Sequence, residues 1–99
     1  MERTAVVLQE NGQGQVLLFS GEVIAGKMDI GVDDHILTVF HTEVAEAYGG
    51  KGYGKILLGA VIDYAKTNQL KVRPLCPFVH GQFMRHEADY QDIWLQESS

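Results

Sequence analysis

The sequence predicts an α+β fold, and three observations predict it. Strand-period segments fill the first part of the chain, a helix-period stripe opens at a glycine-rich turn near the middle, and a short apolar strand follows that helix. Val16 to Ser20 is an apolar run closed by the turn pair Ser20-Gly21. From Glu22 to Val32 the period is two: Ile24, Gly26, Met28, Ile30 and Val32 share one face, and Lys27 and Asp29 the other. Asp33-Asp34 is a second turn signal, and Ile36 to Val44 is a long segment, apolar on both faces for much of its length, as in a strand buried on both sides. These three strands are expected to form an antiparallel meander.

The period changes at Gly49. Leu57, Val61, Tyr64 and Ala65 recur at helical spacing, widened by Ile56, Ala60 and Ile62, which predicts a helix from Lys51 to Thr67 with Asn68 as a left-handed terminal residue. Leu70 to Leu75 then closes a β-α-β crossover with Ile36 to Val44, making those two strands parallel. Pro77 suits the first turn of a second helix, Phe78 to His86, with Phe78 and Phe83 inward. The segment Tyr90 to Leu95 is expected to dock through Tyr90, Ile93 and Trp94.

Composition narrows the function classes. The 99 residues read as one domain, residues 1–99, and a hydrophobic share of 45% lets a core form without disulfide or metal staples. One cysteine excludes an internal disulfide and fits a reducing compartment. The net charge of −5 argues against nucleic acid as a partner, since duplex binding calls for a basic surface. Met1 to Leu8 lacks the pattern of a signal peptide, and no apolar run approaches the roughly 20 residues of a membrane span. The expectation is a cytoplasmic protein without a membrane partner.

Tyr48-Gly49-Gly50-Lys51-Gly52-Tyr53-Gly54-Lys55 stands between a strand and a helix. Glycines there let backbone N–H groups turn toward an anion, the helix start adds partial positive charge, and Lys51 and Lys55 add two cations. Gly49, Gly54 and Lys55 fit part of a P-loop, but Ile56 stands where a Mg²⁺-binding Ser or Thr belongs. The dinucleotide pattern GxGxxG fails as well, because Lys55 or Leu57 occupies its last glycine position. A phosphate-binding loop and a ligand-free turn both remain open on these residues alone.

Three segments taken together carry a resemblance. His41-Thr42-Glu43-Val44, Gly50-Lys51-Gly52-Tyr53-Gly54 and Pro74-Leu75-Cys76-Pro77-Phe78, in this order and spacing, resemble the small stand-alone domains of the GNAT acetyltransferase superfamily. The resemblance covers most of the chain and is strongest from Thr38 to Phe78, where the first and third segments are the specific ones. Two departures stand out. Gly49 occupies the place where the superfamily loop usually begins with Gln or Arg, and His86-Glu87-Ala88-Asp89-Tyr90 is one residue longer than the family's His-Pro-Glu-Tyr-like stretch.

The resemblance implies a mixed, mostly antiparallel sheet, with acetyl-coenzyme A lying where the strand ending at Val44 splays from the strand ending near Leu75. It implies cofactor contacts from Thr42, Val44, Gly49, Gly50, Lys51, Gly52, Tyr53, Gly54 and Lys55, with backbone N–H groups near Glu43 and Val44 polarising the thioester carbonyl. Because only Gly21 separates the first two candidate strands, the helices that wall the acceptor site in larger members are expected to be missing.

The expected activity is acetyl transfer to an unidentified amine, the alternative being a non-catalytic acyl-coenzyme A-binding module. Cys76, just before a helix start, is a candidate proton donor or nucleophile, against the plainer reading of a small buried hydrophobe. His41 and Glu43, two positions apart on one strand, project from one face and are candidate bases for an amine. His80 and His86 lack metal-type partners, so no metal site is expected.

Overall fold

The computed structural model describes residues 2–96. Five strands form one sheet in the order β1-β2-β3-β4-β5: β1 (Glu2–Leu8), β2 (Gln13–Ser20), β3 (Val23–Asp33), β4 (Ile36–Val44) and β5 (Lys71–Pro74). The first four are antiparallel neighbours, and β5 runs parallel to β4 with Leu37 opposite Val72. Between β4 and β5 lie a 3-10 turn at Glu46–Tyr48 and helix α1 (Tyr53–Thr67), and after β5 come α2 (Pro77–Arg85) and the short α3 (Glu87–Tyr90). The α+β fold and its mixed, mostly antiparallel sheet are as the sequence predicts.

Strand β1 is the element the sequence reading lacks. It pairs with β2 along its whole length, from Glu2 opposite Ser20 to Leu8 opposite Gly14. Its apolar residues form a short unbroken run, Ala5 to Leu8, that hides the alternation: Val6 and Leu8 pack on the core while Val7 is 52% exposed. The turn into β2 is tied by the Asn11 side chain, whose Oδ1 accepts the Gln13 N–H at 2.9 Å.

Two register shifts interrupt the meander. Leu18 faces Gly26 but Phe19 faces Ile24, so Ala25 is an extra residue in β3. Ala25 and Gly26 are consequently both buried, and Ile24, expected on the core face, is 51% exposed on the other. The second shift adds Phe40 to β4: Asp29 pairs with His41 and Ile30 with Val39. The double-sided burial expected of β4 is confined to Leu37, Thr38 and Val39, and Phe40 is exposed. The turn between these strands is a two-residue hairpin with Asp34 and His35 both at positive φ.

Helix α1 lays Leu57, Val61 and Ala65, all fully buried, across β1 to β4. Leu58 belongs to this stripe, whereas Ile56 points outward. The helix starts at Tyr53 rather than Lys51, because Gly50 and Gly52 adopt positive φ and cannot extend it. At the other end Gln69 (φ 57°), not Asn68 (φ −102°), is the left-handed residue, and the Asn68 side chain donates to the Tyr64 carbonyl. The core continues through Leu37, Val39 and Val72 to Val79 and Phe83 of α2. Phe83 is fully buried, stacked on Tyr90 at 4.6 Å and met edge-on by Trp94 at 5.4 Å, while Ile93 is buried and Trp94 bridges to Val72. The C-terminal segment docks through the three residues named from the sequence.

Candidate functional site

The site is built where β4 outruns β5. Their pairing ends at Val39 opposite Pro74, and the Val39 carbonyl then accepts the N–H groups of both Leu75 and Cys76, at 3.1 and 3.0 Å. Pro77 supplies no N–H and has a fixed φ, so the chain turns at Cys76 into α2 and leaves the sheet. Phe40–Val44 runs on with β3 as a neighbour and, among the described residues, no strand on the β5 side.

Backbone direction decides what lines this gap. The Ala45 N–H donates to Ala25 on β3 at 2.8 Å. Alternation along the strand turns the N–H of Glu43 the same way and those of Thr42 and Val44 the opposite way, into the gap. Among the described residues these two donors have no backbone acceptor, and donors of this kind on a strand hold an extended amide chain or a carbonyl oxygen.

Above the gap stands the start of α1. Gly52 is its N-cap in a left-handed conformation (φ 77°), with no side-chain cap and no acidic residue in the first turn. The Gly52 carbonyl accepts from Lys55 and Ile56, at 3.1 and 3.3 Å. The N–H groups of Tyr53 and Gly54 belong to the first turn and have no intrahelical acceptor. A Cβ built on Gly50 or Gly52 meets no atom within 4 Å, so the loop's outer surface is open, with Lys51 and Lys55 exposed beside it. Gly49 (φ −61°) differs, being an ordinary extended residue whose N–H is taken by Glu46. Gly54 differs too: a Cβ there would lie 3.1 Å from Phe78 Cζ, so this glycine admits an aromatic ring between α1 and α2. Tyr53 is buried, stacked on Tyr48 at 5.6 Å, and gives its hydroxyl to Glu2 at 3.0 Å.

The candidate catalytic residues fall on two sides of β4. Thr42 lies opposite the buried Met28 and so faces the core side, where its Oγ1 is 3.1 Å from Cys76 Sγ. Cys76 itself is 3% exposed and joins the core. His41 and Glu43 project together from the opposite face, as their spacing predicts, with Nε2 and Oε1 3.7 Å apart and both side chains well exposed. The cross-strand register adds Asp29 opposite His41 and Lys27 opposite Glu43, and Lys27 pairs with Asp29 at 3.6 Å. The structure thus brings Cys76 to Thr42 and His41 to Glu43, but sets the two pairs on different faces. Beside Glu43, an open recess of about 440 Å³ lies between Ile24, Gly26 and Val44.

One contact escapes a sequence reading, the hydroxyl of Thr42 as a partner for Cys76, because it depends on where two strands part. Phe78, expected inward, packs half-buried against the core and over Gly54. No group of three or more potential metal ligands occurs among the described residues, and no helix there is long and apolar enough to cross a membrane.

Comparison with known proteins agrees with this geometry. Residues 16–93 match the family model described as GCN5-related N-acetyl-transferase. No curated protein matches the sequence. Among solved structures, a GCN5-like protein from Staphylococcus aureus aligns over 95% of this chain and 90% of its own, at 29% identity and a TM-score of 0.64. The ribosomal-protein-S18-alanine N-acetyltransferase of Escherichia coli aligns over 67% of this chain at 21% identity and a TM-score of 0.62, and this chain covers 43% of that enzyme. An IAA acetyltransferase from Bacillus cereus aligns over 75% of this chain at 15% identity and a TM-score of 0.63, with 65% of its own length covered. The last two likenesses speak for the fold alone. A family match running from β2 through the glycine loop and the Cys76 turn, together with strands that part in front of an uncapped helix start, leads to one conclusion: the chain belongs to the GCN5-related N-acetyltransferase family.

Proposed function

We propose that residues 1–99 act as one domain that binds acetyl-coenzyme A and transfers its acetyl group to an amine. The observation that carries this reading is the meeting of two features: a gap lined by the N–H groups of Thr42 and Val44, and an uncapped helix start flanked by Lys51 and Lys55 at one end of it. The loop from Gly50 to Gly54 suits a pyrophosphate, and the strand edge suits the pantetheine amides.

Acetyl-coenzyme A supplies an activated carbonyl, and the remaining chemistry falls to the chain. The amine nitrogen bonds to the thioester carbon, the carbon–sulfur bond breaks, the departing sulfur gains a proton and the amine loses one. A group for each proton stands on either face of β4: Thr42 with Cys76, from the turn after β5, toward the sulfur, and His41 with Glu43 toward the amine. Direct attack by the amine suits the open acceptor side, where the two-residue turn at Gly21 and Glu22 replaces any helical wall. The net charge of −5 favours a cationic amine.

Parallel calorimetric titrations with acetyl-coenzyme A, coenzyme A and ATP with Mg²⁺ test the binding step. Saturable binding of the first two and a much weaker response to ATP support the reading, and tighter binding of ATP overturns it. A turnover assay with polyamines, amino acids and peptides tests the transfer, and binding without turnover leaves an acyl-coenzyme A-binding module.

A further inference from the structure

We propose that Thr42 is the positioning residue of Cys76. Its hydroxyl holds the thiol across the gap between β4 and β5 and keeps the sulfur in one orientation whether protonated or not. The inference deepens the reading of this gap as the acetyl-transfer site and rests on it for its functional meaning, though not for its geometry.

The two residues are 34 positions apart in sequence and meet at 3.1 Å. Both backbones are already fixed. Thr42 sits in β4 opposite Met28, inside the β3–β4 ladder. Cys76 gives its N–H to the Val39 carbonyl at 3.0 Å and receives the His80 N–H on its own carbonyl at 2.9 Å. With the backbone fixed, χ1 aims the sulfur, and the Thr42 hydroxyl at 3.1 Å favours the rotamer that meets it.

Threonine suits this task for two reasons. It is β-branched, so on a strand its own χ1 is restricted and the hydroxyl is held still. A hydroxyl also both donates and accepts: it accepts from the S–H of a thiol and donates O–H to a thiolate, so the contact survives the movement of the proton. Valine has the same shape and can do neither. The contact also costs little to keep, because Cys76 is 3% exposed and water cannot readily replace the hydroxyl.

The test is the rate at which iodoacetamide alkylates Cys76, followed by intact mass with no coenzyme A present. Thr42→Val is expected to react about threefold or more slowly than the parent, because the attacking sulfur loses the hydroxyl that donates to it and holds its orientation. Thr42→Ser restores the hydroxyl and is expected to return to within about twofold of the parent rate. A Thr42→Val protein that reacts as fast as the parent, or faster, overturns the proposal. If Thr42→Val does not fold by circular dichroism, Thr42→Ala removes the same hydroxyl and is read by the same criterion. In the transfer assay, Thr42→Val is expected to lower kcat with little change in KM for acetyl-coenzyme A, because the backbone N–H of Thr42 is untouched; a change confined to KM overturns the assignment. Failure of acetyl-coenzyme A to bind at all sinks the functional reading and leaves the alkylation result standing, so the two failures are told apart.

Discussion

The Tyr53 hydroxyl donates to the carboxylate of Glu2 at 3.0 Å, joining the first residue of helix α1 to the first residue of strand β1. The glycine loop is thereby tied to the far edge of the sheet, because α1 crosses every strand from β1 to β4. The tyrosine ring is buried and the glutamate is exposed, so the bond sits at the boundary of the core. Tyr53→Phe is expected to cost about 1 kcal/mol. For a domain of this size that lowers Tm by roughly 4–8 °C. Differential scanning calorimetry of Tyr53→Phe, Glu2→Gln and the double variant checks it. Fully additive single losses would mean that the bond contributes nothing.

Gly54 and Phe78 are expected to be energetically coupled. The ring leaves no room for a Cβ at Gly54, so Gly54→Val should destabilise by about 1–3 kcal/mol through overpacking. Phe78→Ala makes space, and in that background the same valine should cost much less. A double-mutant cycle by urea unfolding measures the difference. Equal cost in both backgrounds would contradict the packing seen here.

The bulge at Ala25 predicts an asymmetry between two isoleucines. Ile30 is 1% exposed and Ile24 51%. Ile30→Asp places an unpaired charge in the core and should cost more than about 4 kcal/mol or prevent folding. Ile24→Asp should stay within about 0.5 kcal/mol of the parent. Denaturant midpoints of the two variants decide it. Comparable losses would put Ile24 back on the core face, as an unbroken alternation would have it.

At the glycine loop, Gly52 and Lys51 should affect coenzyme A binding in different ways. Gly52→Val forces a β-branched residue into φ 77°, a strain of about 1–3 kcal/mol, and should disturb both the helix start and affinity. Lys51→Ala should weaken binding several-fold at low salt and little at high salt, since the lysine is exposed and its effect is screened. Calorimetry at two ionic strengths checks the second. Salt-independent loss in Lys51→Ala would point to a direct, dry contact.

Much of this protein is determined by local sequence alone. The glycine-rich break before a 3.6-residue stripe fixes where α1 begins and why its start is left uncapped, since Gly50 and Gly52 relax into positive φ and offer no side chain. The Pro77 ring fixes where the chain turns after β5. The two-position spacing of His41 and Glu43 fixes their common face. What tertiary structure decided is phase and company. Ile24 left the core face and Phe40 left the interior because one extra residue in each strand shifts register against a neighbour, and a strand's own alternation cannot show what stands across from it. Strand β1 depends on pairing with β2 for its existence, as an apolar run too short to display a period of its own. Cys76 met Thr42, away from His41 and Glu43, because β4 presents alternate residues to opposite faces and β5 stops at Pro74. Pro77 ends the course of β5 locally, but which β4 side chain then meets Cys76 is set by the β3–β4 register, with its extra residue at Phe40.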